Sequence, residues 1–272
     1  MKKQKKQTTL RTRDALSGLA FLSPWLIGLL VFTLIPIGYS LVMSISRVKF
    51  TVNGMELTIL GAQWFEEIFT KDANFLPALL DTVEFIAFST PMILVASVIL
   101  ALLLNKVTKG RGFFRALFFF PVVVISGPVM SKLIGNLPGV IATPLQYIFD
   151  NVVLILWYSG VQILIILAGL QKINKPIYEA ASIDGASGWQ IFWKITFPHL
   201  KPMILLSGIY TVVDLAGMPS NALAKLVKNN LTRLDAPYSY SAAISWLYSL
   251  VELVLLGITF LLLKERKEKH DD

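Results

Sequence analysis

From Ala15 to Ser46 the chain runs without one charged side chain, and no other feature limits its possible folds so strongly. One helical crossing of a bilayer takes about 20 apolar residues, whereas a water-soluble core rarely holds so long an unbroken run. The run is too long for the apolar part of a secretion signal, and no small-residue cleavage site follows it. It reads as a retained span. Pro24 and Pro36 lie inside it, which a membrane helix tolerates where neighbouring helices satisfy the freed carbonyls.

Five further apolar runs follow: Phe85 to Asn105, Phe113 to Leu133, Val152 to Leu170, a shorter one from Pro202 to Gly217, and Ser239 to Leu263. Arg115 and Lys132 lie near the ends of the third run, where long side chains reach the interface. Composition agrees: 55% of residues are hydrophobic and 15% charged, against about a quarter charged in a soluble domain. The expectation is an all-α polytopic membrane protein with six transmembrane helices.

Lys and Arg set the orientation. With six spans, both termini share a side with the loops after spans two and four. That side collects Lys2, Lys3, Lys5, Lys6, Arg11, Arg13, four basic residues of the C-terminal tail, and eight in the loops. The opposite side holds less than half as many. Because basic residues concentrate in short cytoplasmic segments, both termini are expected in the cytoplasm. Residues 1–272 read as a single transmembrane domain, with a basic N-terminus over 1–14 and a charged tail over 264–272. The largest loop on the other side, Val48 to Asp81, contains Trp64 to Phe69, which reads as a short amphipathic helix at the membrane surface.

Several function classes drop out. There is no cysteine, so disulfides and thiolate metal sites are excluded. His199 and His270 are too few and too far apart for a histidine metal centre. A net charge of +8 invites a nucleic-acid partner, but the charges flank apolar runs rather than forming a basic face with stacking aromatics. Paired inverted repeats with several buried ionisable groups, as in a secondary transporter, are not visible, and neither is a clustered acid–base set. No phosphate-binding Gly-x-x-x-x-Gly-Lys-[Ser/Thr] loop is present either.

The segment between spans four and five, residues 171–201, is unlike an ordinary connector. Pro176 suits the first position of a helix, and Glu179 falls in its early turns, where a negative charge favours the helix dipole. Gly185 is placed to stop that helix. Ser187 and Gln190 have capping-box spacing for a second helix, which Pro198 is expected to end. Ala180, Ala181, Gly185 and Ala186 are small, while Ile183, Trp189 and Phe192 offer apolar anchors. From residue chemistry alone the corner is either a docking surface or an amphipathic loop resting on lipid headgroups.

The spacing carries further. Glu179-Ala180-Ala181, three residues, Gly185, nine residues, Ile195, one residue, an apolar residue and Pro198 resembles the signature loop of permease subunits in binding-protein-dependent ABC importers. Asp184 and Ala186 match its usual Asp-Gly-Ala core, and Phe197 replaces the usual leucine. Leu22 to Gly28, Gly110 to Arg115, Phe120 to Ser126 and Ala168 to Gln171 look like the corresponding stretches of maltose-type and glycerol-phosphate-type permeases. Gly217-Met218-Pro219 departs from the Gly-Gly-Pro often found there.

The resemblance implies a type I ABC importer permease architecture. Its partners would be a second homologous permease, two cytoplasmic ATPases and an extracytoplasmic solute-binding protein, with no nucleic acid involved. ATP and Mg would be bound by the partner ATPase, so this chain needs no cofactor and is not an enzyme. Glu179, Ala180, Ala181, Ile183, Asp184, Gly185, Ala186, Ile195 and Pro198 become the coupling residues. The cargo implied is a sugar or oligosaccharide; the alternatives are glycerol phosphate or another small polar solute, with a secondary transporter as the rival class. An ionisable group in a span is a functional candidate by default, so Tyr210, Asp214, Trp246 and Glu252 are the candidates for the solute pathway. The alternative for Glu252 is a pairing with a polar group of the partner subunit.

Overall fold

The computed structural model describes residues 2–51, 54–106, 112, 155, 158–233 and 237–264. Span three of the sequence reading, with Arg115 and Lys132, lies outside the described residues, as does the start of span four. Among the described residues the chain is helical apart from one hairpin. In order it forms α1 (Lys2–Leu29), α2 (Ile35–Ser44), β1 (Ser46–Thr51), β2 (Gly54–Ile59), α3 (Gln63–Thr70), α4 (Phe75–Lys106), α5 (Gly160–Lys172), α6 (Lys175–Ile183), α7 (Gly188–Ile191), α8 (Phe197–Ala216), α9 (Ala222–Asn230) and α10 (Pro237–Leu263). Three helical stretches among these residues are long and apolar enough to cross a bilayer: Ser17–Ser44, Phe75–Lys106 and Pro237–Leu263.

Helix length and apolar length differ. The second apolar run begins at Phe85, yet α4 starts at Phe75, because Asp81 and Glu84 end an apolar stretch without ending a helix. Likewise α8 begins at Phe197, five residues before the apolar run, and continues through Pro202. Wider π-type turns occur at Leu30–Leu34 and Phe192–Thr196, and each closes two residues before a proline, Pro36 and Pro198. A proline inside a helix cannot donate to the carbonyl four residues back, and its ring crowds that carbonyl. Widening the turn re-spaces the ladder: Ile35 N–H bonds Leu30 O, and Phe197 N–H bonds Phe192 O. Pro198 therefore does not end the second corner helix. The chain stays helical from Gly188 to Ala216.

The chain divides into two compact units. In the unit built from residues 1–72 and 227–247, β1 pairs antiparallel with β2 from Ser46↔Ile59 to Thr51↔Gly54. The amphipathic helix α3 buries Trp64 and Ile68. Trp64 and Ile68 are thus covered by protein, with Tyr240 of α10 as a partner of Trp64, while Phe69 stays exposed. Trp64 and Tyr240 meet edge to face with centroids 5.9 Å apart, and Trp64 Nε1 donates to Ser46 O at 2.8 Å. Arg233 bonds Glu67 at 2.6 Å and lies 4.2 Å over the Tyr240 ring. Tyr240 Oη donates to Asp72 at 2.9 Å. Burial alone would lower Arg233, but the hydrogen bond and charge of Glu67 hold its guanidinium above the ordinary value.

The other unit, residues 73–226 and 248–272, is a bundle in which α4, α5 and α8 share one core. Leu94, Ala101, Ile163, Ile166, Leu200 and Ile204 are among its buried members. Close approach of α5 and α8 requires Gly169, where an added Cβ would sit 2.6 Å from Met203 Cγ. Small residues at helix crossings are how membrane helices gain packing contact.

Candidate functional site

The corner between α5 and α8 is built from local rules. After α5 the chain extends at Ile173, and Asn174 starts α6, with Pro176 at its second position. A proline is harmless there, since the N–H it lacks would have no helical partner. Glu179 opens the second turn of α6, within its early turns as expected. At the other end Gly185 adopts φ +77°. Ala186 N–H then bonds Ala181 O at 3.0 Å and Gly185 N–H bonds Ser182 O at 3.1 Å, a Schellman closure that satisfies two terminal carbonyls. An added Cβ at Gly185 would meet nothing within 4 Å. The glycine is needed for its backbone angle, not for space.

The return arm starts on a reciprocal cap. Gln190 N–H donates to Ser187 Oγ at 3.3 Å, and Ser187 N–H donates to Gln190 Oε1 at 2.8 Å. Two contacts seat the corner on the bundle. Tyr178 and Phe197 pack against the α4–α5–α8 core, and the Tyr178 hydroxyl pairs with Thr196 Oγ1 at 3.1 Å, joining the two arms. His199 Nδ1 donates to Ile195 O at 2.6 Å, so this exposed ring caps a carbonyl of the widened turn.

Alongside charged side chains, the corner leaves large apolar ones uncovered. Ile183 is 86% exposed and Trp189 is 71% exposed. Trp189, Phe192, Trp193 and Phe197 form a run of ring contacts, with Trp193 5.0 Å from Phe192 and 4.9 Å from Phe197. Glu179, Ala180, Asp184 and Gly185 are exposed, Ala181, Ala186 and Ile195 partly so. Pro198 sits in the continuous helix behind them. In the elbow lies a cleft of about 270 Å³, walled by Asp184, Gly185, Gln190, Ile191, Lys194 and Ile195. Bulky apolar side chains facing outward on a capped corner have the chemistry of a docking surface or of a loop resting on lipid headgroups.

The pathway candidates separate. Tyr210 and Asp214 are one turn apart on α8, and Asp214 acts electrostatically on both Tyr210 and Tyr158, just before α5. Glu252 on α10 acts on Tyr248 one turn earlier. Tyr248 hydrogen-bonds Asn221 and donates to Ala216 O, pinning the end of α8 to α10. Trp246, half-buried on α10, donates to Ser40 Oγ at 3.3 Å. Tyr158, Tyr248 and Asn221 escape sequence reasoning. Only the four-residue spacing of Tyr248 and Glu252 gives a signal for any of them.

Residues 70–263 match the family described as binding-protein-dependent transport system inner membrane component. A probable ABC transporter permease of Bacillus subtilis is 30% identical over 95% of this chain and 92% of its own length. The lactose transport system permease LacF of Rhizobium radiobacter is 30% identical over 96% of this chain and 98% of its own. In fold, the chain resembles a chain of a bacterial alginate ABC transporter solved with an alginate-bound periplasmic protein. The TM-score is 0.72 at 20% identity, covering 93% of this chain and 95% of that one.

Proposed function

This chain belongs to the family of binding-protein-dependent transport system inner membrane components, and we propose that it forms half of the translocation pathway of an ATP-driven importer for a sugar or oligosaccharide. The exposed corner carries the proposal. Its fixed backbone, open apolar side chains and elbow cleft supply what a membrane protein needs to grip a separate ATPase. Glu179, Ala180, Ala181, Ile183, Asp184, Gly185 and Ala186 would meet that partner, with Ile195 and Pro198 holding the return arm. In this reading residues 171–201 form the coupling segment of one domain spanning 1–272.

Six spans with both termini and the corner in the cytoplasm complete the reading. ATP and Mg belong to the partner ATPase. Closure of two ATPases would displace each corner, and the tie through Tyr178, Thr196 and the shared core passes that displacement into α5, α8 and α4. The pathway would then exchange inward and outward openings, a two-state equilibrium biased from both sides of the membrane. A second, related permease supplies the other half, and a solute-binding protein delivers cargo. LacF, similar along its whole length, supports the sugar reading.

Gly185→Trp in the assembled complex is the test. The variant should insert and accumulate normally, lose co-purification with the ATPase, and abolish uptake. Full uptake by that variant would sink the docking assignment.

A further inference from the structure

We propose that Asp214, flanked by Tyr158 and Tyr210, is the group of this chain that contacts cargo and selects uncharged, hydroxyl-rich solutes over anionic ones. This rests on the importer reading above and sharpens it.

The geometry begins with the hairpin of α5 and α8. Gln162 Nε2 donates to Thr211 Oγ1 at 2.8 Å, and Gly169 faces Met203. These two pairs fix an antiparallel register in which Tyr158 stands at the level of Asp214. Tyr210, one turn back on α8, is 38% exposed, and Asp214 is partly exposed. Tyr158 packs against the cluster of Ile86, Ile93, Val212 and Leu215. Below them, Gln162 and Thr211 are completely buried, and Thr211 donates onward to Ser207 O at 2.7 Å. A fixed polar seam therefore supports the half-open trio.

Position adds to this. Asp214 lies 17 residues beyond Phe197, about 26 Å along the helix from the corner. If ATPases grip the corner, Asp214 is at the far mouth, where delivered solute arrives. Among the described residues Asp214 has neither an ion pair nor a hydrogen bond. A carboxylate in a span faces protein or water in preference to lipid, because hydrocarbon exposure is costly. A carboxylate without a partner among the described residues, together with two phenols, suits sugar hydroxyls, since the carboxylate accepts, the phenol also donates, and its ring covers apolar sugar faces. The same charge repels phosphate or uronate. Glu252 adds a second negative charge on α10, beside Tyr248, which packs on the same cluster as Tyr158.

The test uses the full complex, with binding protein, in proteoliposomes. Uptake of labelled lactose, trehalose and raffinose is compared with uptake of glycerol 3-phosphate and oligogalacturonate. The unaltered complex should import a neutral member and neither anion. Asp214→Asn, nearly isosteric, should cut that uptake about tenfold or more by removing a charge-assisted hydrogen bond, with ATPase co-purification unchanged. Tyr158→Phe, the milder variant, should raise the half-saturating cargo concentration and leave assembly intact. Preferred uptake of an anion, or unaltered neutral uptake by Asp214→Asn and Tyr158→Phe, would overturn the assignment alone. Import of no member by the unaltered complex would remove the sugar reading and this assignment together.

Discussion

The corner from Lys175 to Phe197 and the aromatic cage around Trp64 use similar residues for opposite ends. In the cage, Trp64 and Tyr240 are buried, their polar atoms are bonded to Ser46 and Asp72, and two arginines cover their faces. At the corner, Trp189 and Ile183 stand open, while the backbone between them is capped at Gly185 and Ser187. One region spends its aromatics on its own stability. The other fixes its backbone with short-range bonds and leaves its large side chains free, as a surface awaiting a partner does.

That contrast can be broken by mutation. The largest effect is expected from Trp64→Ala, which removes a buried indole and should lower stability by about 3–5 kcal/mol, read as a drop in melting temperature in detergent. Trp189→Ala at the corner should leave the melting temperature almost unchanged while weakening ATPase co-purification. A matching loss of stability at Trp189 would mean that the corner is ordinary core. Replacing Gly185 by Val forces a branched side chain into a left-handed angle at a cost of about 1–3 kcal/mol, confined to the corner, so hydrogen exchange should rise from 180 to 190 only. Ser187→Ala removes the cap at about 1 kcal/mol, with faster exchange over 188–191. Glu67→Gln is the mildest: a pair this exposed is worth about 0–1 kcal/mol, and its effect should fade in high salt.

Much of the corner was legible in the sequence because caps are local. Gly185, Ser187 and Gln190 act within a few residues of themselves, so spacing alone places the turn. Pro198 misled for the opposite reason. Proline usually ends a helix, but here the widened turn at 192–196 absorbs it, and that depends on packing of Phe197 and Leu200 against the core. The amphipathic pattern of Trp64 to Phe69 marked a helix correctly but could not show the protein partner of Trp64, since Tyr240 lies far along the chain.

Among the pathway candidates, Tyr210 and Asp214 come together because they share a helix face four residues apart. Their neighbour Tyr158 is brought in by the register of α5 on α8, which Gly169 and Gln162 of α5 set against Met203 and Thr211 of α8. By itself the sequence determined the membrane class, the family and the capped corner, since apolar run length, residue spacing and turn chemistry are properties of neighbours in the chain. Only the tertiary structure decided which aromatics are buried, how α8 passes its proline, and which tyrosines surround Asp214, because those depend on side chains that meet across helices.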